Sequence, residues 1–193
     1  MKVFGIGMFK TGTTTLEHCL KILGMRHVDY QTDHIYFNGK SQGFLQRNLD
    51  EIVTEYDYDN FSDEEIHTIE RITNNYDAFS DHPWMWCFKK CYELYPDSKF
   101  ILTVRKDSQT VANSDRNFCK MNGASEKDLA DASEYIHRYE THNAIVREFF
   151  KDKNNYIELC WENGDDWNKL CEFLNIEIPP IPFPHANRGV YSK

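Results

Sequence analysis

Lys10, Thr11, Gly12, Thr13, Thr14 and Thr15 stand together directly behind an apolar opening run, Val3 to Met8. These residue types at this spacing suit an anion. A strand, a short loop and a helix N-terminus are expected in that order, because apolar residues recur at helical spacing from Leu16 through Cys19, Leu20 and Leu23. The first N–H groups of a helix lack intrahelical partners, and the helix dipole makes that end positive. Gly12 permits close backbone approach, Lys10 adds a charge, and the threonine hydroxyls can donate to phosphate oxygens. The order of residues is not that of an ATPase loop, in which the lysine follows the last glycine; here Lys10 precedes Gly12.

Two further chemistry-bearing points lie downstream. Arg105 ends the run Lys99-Phe100-Ile101-Leu102-Thr103-Val104, and Asp81-His82 ends the run from Tyr76. Both runs read as strands, and the nearly continuous apolar character of the first predicts burial on both faces, as in a parallel sheet. In open parallel sheets ligands bind beyond the carboxyl ends of the strands. The Lys10 loop, Asp81-His82 and Arg105 are therefore expected at one crevice.

The elements that must position them alternate between strand and helix. Helices are expected over about 13–23 (with Gly24 as the stop), 42–55, 62–74, 84–95, 108–121, 125–151 and 166–174. Ser62 followed by Glu65 is a capping box. The long helix carries Leu129, Ala132, Ile136, Tyr139, Asn143, Val146 and Phe150 as its stripe, Asn143 being the polar exception. Met25 to Asp29 and Tyr156 to Cys160 read as extended, Tyr56 to Asn60 as a polar loop, and the proline-rich stretch Pro179 to Pro184 as extended tail. The expected class is α/β, a three-layer fold like that of P-loop nucleotide hydrolases, with a central parallel sheet flanked by helices. One domain over residues 1–193 is expected, with about 30–74 as a substrate-side cover.

At 193 residues and a formal net charge of −9, the chain is not expected to be a general nucleic-acid binder or a ligand of anionic membranes. No apolar run approaches the roughly 20 residues that span a bilayer, and the N-terminus lacks a signal-peptide pattern. The six cysteines contain no CxxC pair and read as reduced core residues, which fits a cytoplasmic setting. No metal site is expected.

The residues resemble those of sulfotransferases that use 3′-phosphoadenosine 5′-phosphosulfate (PAPS). Phe9 to Thr15 is similar to the family's 5′-phosphosulfate loop. Phe100 to Arg105 followed by Asn113-Ser114 is similar to its 3′-phosphate strand and helix, with a serine one position late and Asn113 or Ser114 open for the role. Tyr95 to Lys99 and Pro182 to Asn187 resemble a compact branch found in microbes and invertebrates, and Arg188-Gly189 resembles the segment that closes over the 3′-phosphate. The resemblance does not cover about 30–74. It implies transfer of a sulfuryl group from PAPS to a hydroxyl or amine of a small-molecule or glycan acceptor, with adenosine 3′,5′-bisphosphate as product and no metal. It implies that Lys10 stabilises the leaving oxygen, that Thr11 to Thr15 hold the 5′-phosphate, and that Arg105, Ser114 or Asn113, Arg188 and Gly189 hold the 3′-phosphate. The base that takes the acceptor proton is His82, Asp81 or a residue of the middle segment.

Other readings stay open at this point. A P-loop kinase needs a lysine after the glycine and acidic magnesium ligands, for which Asp81 alone is a candidate. A non-catalytic adenosine bisphosphate-binding module would keep the cradle and lack a base. Trp84 and Trp86 read as core or as a stacking platform, Arg116 as cofactor-facing or solvated, and His185 as structural. Neither the acceptor nor the oligomeric state is written in the sequence.

Overall fold

The fold was analysed in a computed structural model that describes residues 1–28, 58–125 and 131–186. The expected helix at 42–55, the stripe residue Leu129 and the closing pair Arg188-Gly189 lie outside these residues. Among them run β1 (Val3–Gly5), α1 (Thr13–Ile22), α2 (Asp63–Thr73), β2 (Ala78–Phe79), α3 (Phe88–Leu94), β3 (Lys99–Thr103), α4 (Ser108–Met121), α5 (Ala132–Phe150), β4 (Tyr156–Leu159) and α6 (Trp167–Leu174).

The four strands pair in the order β2-β1-β3-β4, all parallel. Phe4 is in register with Phe79 on one side and Phe100 on the other. Their rings stack across the sheet at centroid distances of 4.7 and 5.3 Å. This face is covered by α2, α3 and α5, through Ile69, Ile72, Phe88, Val146 and Phe150. The opposite face, Val3, Ala78, Ile101 and Leu159, is covered by α1 and α6. The result is three layers, with a sheet buried on both sides as the apolar run of β3 requires. A further cluster of Met8, Phe9, Met85, Val111, Tyr135 and Tyr139 seals α4 and α5 against the loop that leaves β1.

Local chemistry accounts for several boundaries. Ser62 and Glu65 form the reciprocal capping box at the start of α2. Asp107 and Asp166 accept N–H groups at the starts of α4 and α6. Gly24, at φ 81, follows the end of α1.

Two expectations are corrected. The helix expected from Trp84 begins only at Phe88, because residues 82–86 form tight turns in which Asp81 and Pro83 carbonyls accept the amides of Trp84 and Trp86. Tyr58, expected in a polar loop, is buried: its hydroxyl donates to His142 Nδ1 over 2.9 Å and its ring packs on Phe88. The short extended piece expected after Met25 lies beside β2 in parallel: His27 bridges Ala78, the Val28 N–H donates to the Ala78 carbonyl, and His27 is bonded to Ser80. No two of the six cysteines are joined as a disulfide.

Candidate active site

The outgoing connection of β1 leads to β2 on one side, whereas that of β3 leads to β4 on the other. Their carboxyl ends therefore flank the switch point of the sheet, the place where open parallel sheets form their ligand crevice. The loop between β1 and α1 and the exit of β3 meet there. Gly7 makes the meeting possible: a Cβ at that position would lie 2.2 Å from Thr103 Oγ1 and 2.5 Å from the Thr103 carbonyl oxygen. Thr11, buried beside it, bonds Thr103 Oγ1 at 2.7 Å and donates to the Met8 carbonyl. The Thr11 hydroxyl thus serves the loop itself.

The anion-binding features sit at the start of α1. Gly12 (φ 95) offers no side-chain cap, the first turn holds no acidic residue, and the first intrahelical bond runs from Leu16 N–H to the Gly12 carbonyl. The N–H groups ahead of it point out of the helix end. Thr14 is partly exposed, and its hydroxyl makes no hydrogen bond among the described residues. Thr15 Oγ1 accepts the N–H of Ala186 at 3.2 Å, tying the tail to the loop. The tail is also pinned by Phe183, which packs on Trp161 and Trp167, and by Trp167 Nε1 donating to the Ile181 carbonyl. His185 packs on the edge of Phe183, a structural place.

Lys10 and Asp81 share an unusual backbone. Both have φ 69, the left-handed region that non-glycine residues seldom enter. Such conformations concentrate at functional sites. The Lys10 ammonium rests 3.3 Å from the ring centre of Phe118 on α4. Burial pulls its pKa below the ordinary lysine value, opposed by Asp115, Asp81 and Cys119. Asp81 accepts from Thr13 Oγ1 at 3.0 Å and from the His82 N–H at 3.0 Å. Burial pushes its carboxyl above the usual range, opposed by those two donors and by Lys10. His82 is held by burial at a pKa of about 4, with its ring 4.3 Å from Trp86 in an edge contact. Its Nε2 is buried and has no hydrogen-bond partner among the described residues.

Arg105 lies on the other side of the crevice. Its N–H donates to Tyr139 Oη, Nη1 donates to the Lys10 carbonyl at 3.4 Å, and Nε and Nη2 donate to the two oxygens of Glu162. On α4, Asn113 is exposed and accepts from Gln109, whereas Ser114 is partly buried one turn before Phe118. The helical spacing puts Ser114 on the side of α4 that carries Phe118 toward Lys10. Arg116 adds a minor pull on the pKa of Asp131, which the hydrogen bonds from Ser133 hold below the ordinary aspartate value. Trp84 is core, buried against Phe4 and Phe79.

Several site-forming residues escape a reading of motifs. Glu162 and Trp161 follow β4, so the parallel order puts them at the same edge; counting the fourth strand end would have found them. Trp161 Nε1 donates to the Gly12 carbonyl at 3.2 Å, and its indole occupies the space where a Gly12 side chain would be. Tyr135 and His142 flank Tyr139 on α5 at helical spacing. Tyr135 Oη donates to the Phe9 carbonyl, and His142 Nε2 donates to the Ile6 carbonyl at 2.8 Å. Asp115 is buried, and its charge raises the pKa of Lys10 against the effect of burial.

Among the described residues no cluster of His, Cys, Asp and Glu could hold a metal ion, and no helix is long and apolar enough to cross a membrane. The sequence pattern of the sulfotransferase domain matches residues 2–127 and 110–190. A related protein, Ava biosynthesis cluster protein M of Aspergillus versicolor, is 22% identical over 228 aligned residues, covering 96% of this chain and 80% of that protein. A parallel sheet with an uncapped helix N-terminus at its switch point, matched nearly from end to end by that pattern, settles the assignment: the chain belongs to the sulfotransferase domain family.

Proposed function

We propose that the chain transfers a sulfuryl group from PAPS to a hydroxyl or amine of a small-molecule or glycan acceptor. The observation that carries this reading is the placement of an uncapped, acid-free helix start beside Lys10 and, across the switch point, Arg105. These donors fit a nucleotide with anionic groups at two ends. The amides of Thr13, Thr14 and Thr15, with the Thr14 hydroxyl, would hold the 5′-phosphate end. Arg105 and Ser114 would hold the 3′-phosphate, with Arg188 and Gly189 following the tethered tail.

When bound, PAPS supplies an activated sulfuryl group, whose bond to the 5′-phosphate oxygen breaks as the acceptor atom bonds to sulfur. Lys10 neutralises the charge that grows on that phosphate oxygen. Asp81 takes the acceptor proton. Its carboxylate is oriented by Thr13 and the His82 amide, and its raised pKa makes it a stronger base than an exposed aspartate. The buried Nε2 of His82 favours the role of a packed neutral ring.

Thermal shift tests the reading. Adenosine 3′,5′-bisphosphate is expected to raise the melting temperature more than AMP or ATP at equal concentration. Equal shifts from all three would remove the 3′-phosphate subsite. Release of adenosine 3′,5′-bisphosphate from PAPS that depends on an added acceptor then tests the transfer.

A further inference from the structure

Arg105 does not meet the crevice with its whole guanidinium. An arginine carries five N–H donors in one plane, on edges that differ in direction. The side-on edge is closed: Nε donates to Glu162 Oε2 over 3.0 Å and Nη2 to Glu162 Oε1 over 2.9 Å. Nη1 reaches back to the Lys10 carbonyl. What remains is one N–H on each terminal nitrogen. Glu162 is itself fixed, because Oε2 also accepts the N–H of Lys106 at 3.0 Å. The two side chains keep only 26% and 28% of their surface in solvent. A half-exposed arginine without such a partner would spread over many rotamers, at a cost on every binding event.

We propose that Glu162 is a positioning residue: its bidentate grip fixes Arg105 so that the remaining N–H groups of its two terminal nitrogens are the ones offered to a nucleotide's 3′-phosphate. The proposal rests on the PAPS reading. A competing role, in which Glu162 occupies Arg105 until an anion displaces it, predicts the opposite sign. The Lys106 amide argues against displacement, since a departing carboxylate would abandon three donors at once.

The experiment compares binding of two nucleotides, adenosine 3′,5′-bisphosphate and adenosine 5′-phosphate, to the full chain by calorimetry. Glu162→Gln keeps the size and removes the charge. It is expected to weaken the bisphosphate about tenfold, the scale of one charged hydrogen bond, and to leave the 5′-phosphate within about twofold. Glu162→Asp, which keeps the charge on a shorter stem, is expected to fall between wild type and Glu162→Gln. Unchanged or tighter bisphosphate binding in Glu162→Gln overturns the proposal, as does an equal loss for both nucleotides, which would mark a scaffold role. Arg105→Gln separates the two levels. If that variant keeps the wild-type preference for the bisphosphate, the 3′-phosphate reading itself fails; if it loses the preference while Glu162→Gln retains it, only the positioning role fails.

Discussion

Thr13 Oγ1 donates to Asp81 Oδ2 across 3.0 Å, linking the first residue of α1 to the residue that leaves β2. The bond fixes a carboxylate at the mouth of the loop. Burial nevertheless raises the pKa of that carboxyl, so the ionised form costs stability in the folded chain.

Asp81→Asn is therefore expected to raise the melting temperature while abolishing transfer. Asparagine accepts the left-handed φ of 69 readily, and the Thr13 hydroxyl can reverse its role from donor to acceptor. His82→Asn is expected to keep most activity. Circular dichroism melts and acceptor-dependent PAPS turnover on both variants check this. Full activity in Asp81→Asn with loss in His82→Asn would hand the base to His82.

The pH profile of transfer follows from the same carboxyl. A base must be ionised, so activity rises with pH through the pKa of Asp81. Its acid limb is expected above the ordinary aspartate range. A profile of kcat/KM with saturating PAPS measures it, and a limb at or below the ordinary range would contradict the assignment.

Lys10→Ala is expected to reduce turnover by two to three orders of magnitude, roughly the effect of removing one transition-state donor. Binding of adenosine 3′,5′-bisphosphate should suffer less, because the helix amides and Arg105 remain. Comparing kcat with the product's Kd distinguishes the two, and a matched loss in both would make Lys10 a binding residue only.

Acid sensitivity should trace largely to His142. It is fully buried, its pKa is depressed to about 4, and its two ring nitrogens are committed to Ile6 and Tyr58. The unfolded chain binds a proton near 6.5, the folded chain only near 4. Stability is thus complete above the first value and falls as pH drops toward the second, by about 3 kcal/mol for this residue. His82, also lowered to about 4, adds a smaller share because it is partly exposed. Urea titrations from pH 7 to 4 should show this slope. His142→Gln should start less stable at pH 7 and show a shallower slope by one proton.

Gly7→Ala should fail for a steric reason. The new methyl would meet the Thr103 backbone, which no rotamer change can relieve. A loss of about 3 kcal/mol or more is expected in denaturant midpoint measurements, the upper end for overpacking.

Much of this was readable in the chain. Periodicity located α1, α4 and α6 closely, and the Ser62–Glu65 spacing located the start of α2, because these signals are local. The apolar run of Phe100 to Leu102 foretold a strand buried on both faces. What stayed hidden depends on pairs distant in sequence. Nothing near Glu162 marks it as the partner of Arg105, and nothing near Tyr58 marks it as a lid on His142. The turns after Asp81 also beat the helix signal of Trp84 to Tyr95, since local bonds to Asp81 and Pro83 satisfy those amides first. Asn143 looked like an exception on an apolar stripe; it is buried and bonded to Tyr139.

The carbonyl groups of the loop have a consequence for the energetics of binding. Those of Ile6, Met8, Phe9, Lys10 and Gly12 are each claimed by a donor: His142, Thr11, Tyr135, Arg105 and Trp161. Their negative ends are engaged before any anion arrives, so the field at the loop is already sorted by sign. An incoming phosphate meets dipoles that need not turn, and the reorganisation energy that bulk water would demand is largely absent. Substitutions on α5, which touch no ligand, should then register as lost affinity for anions.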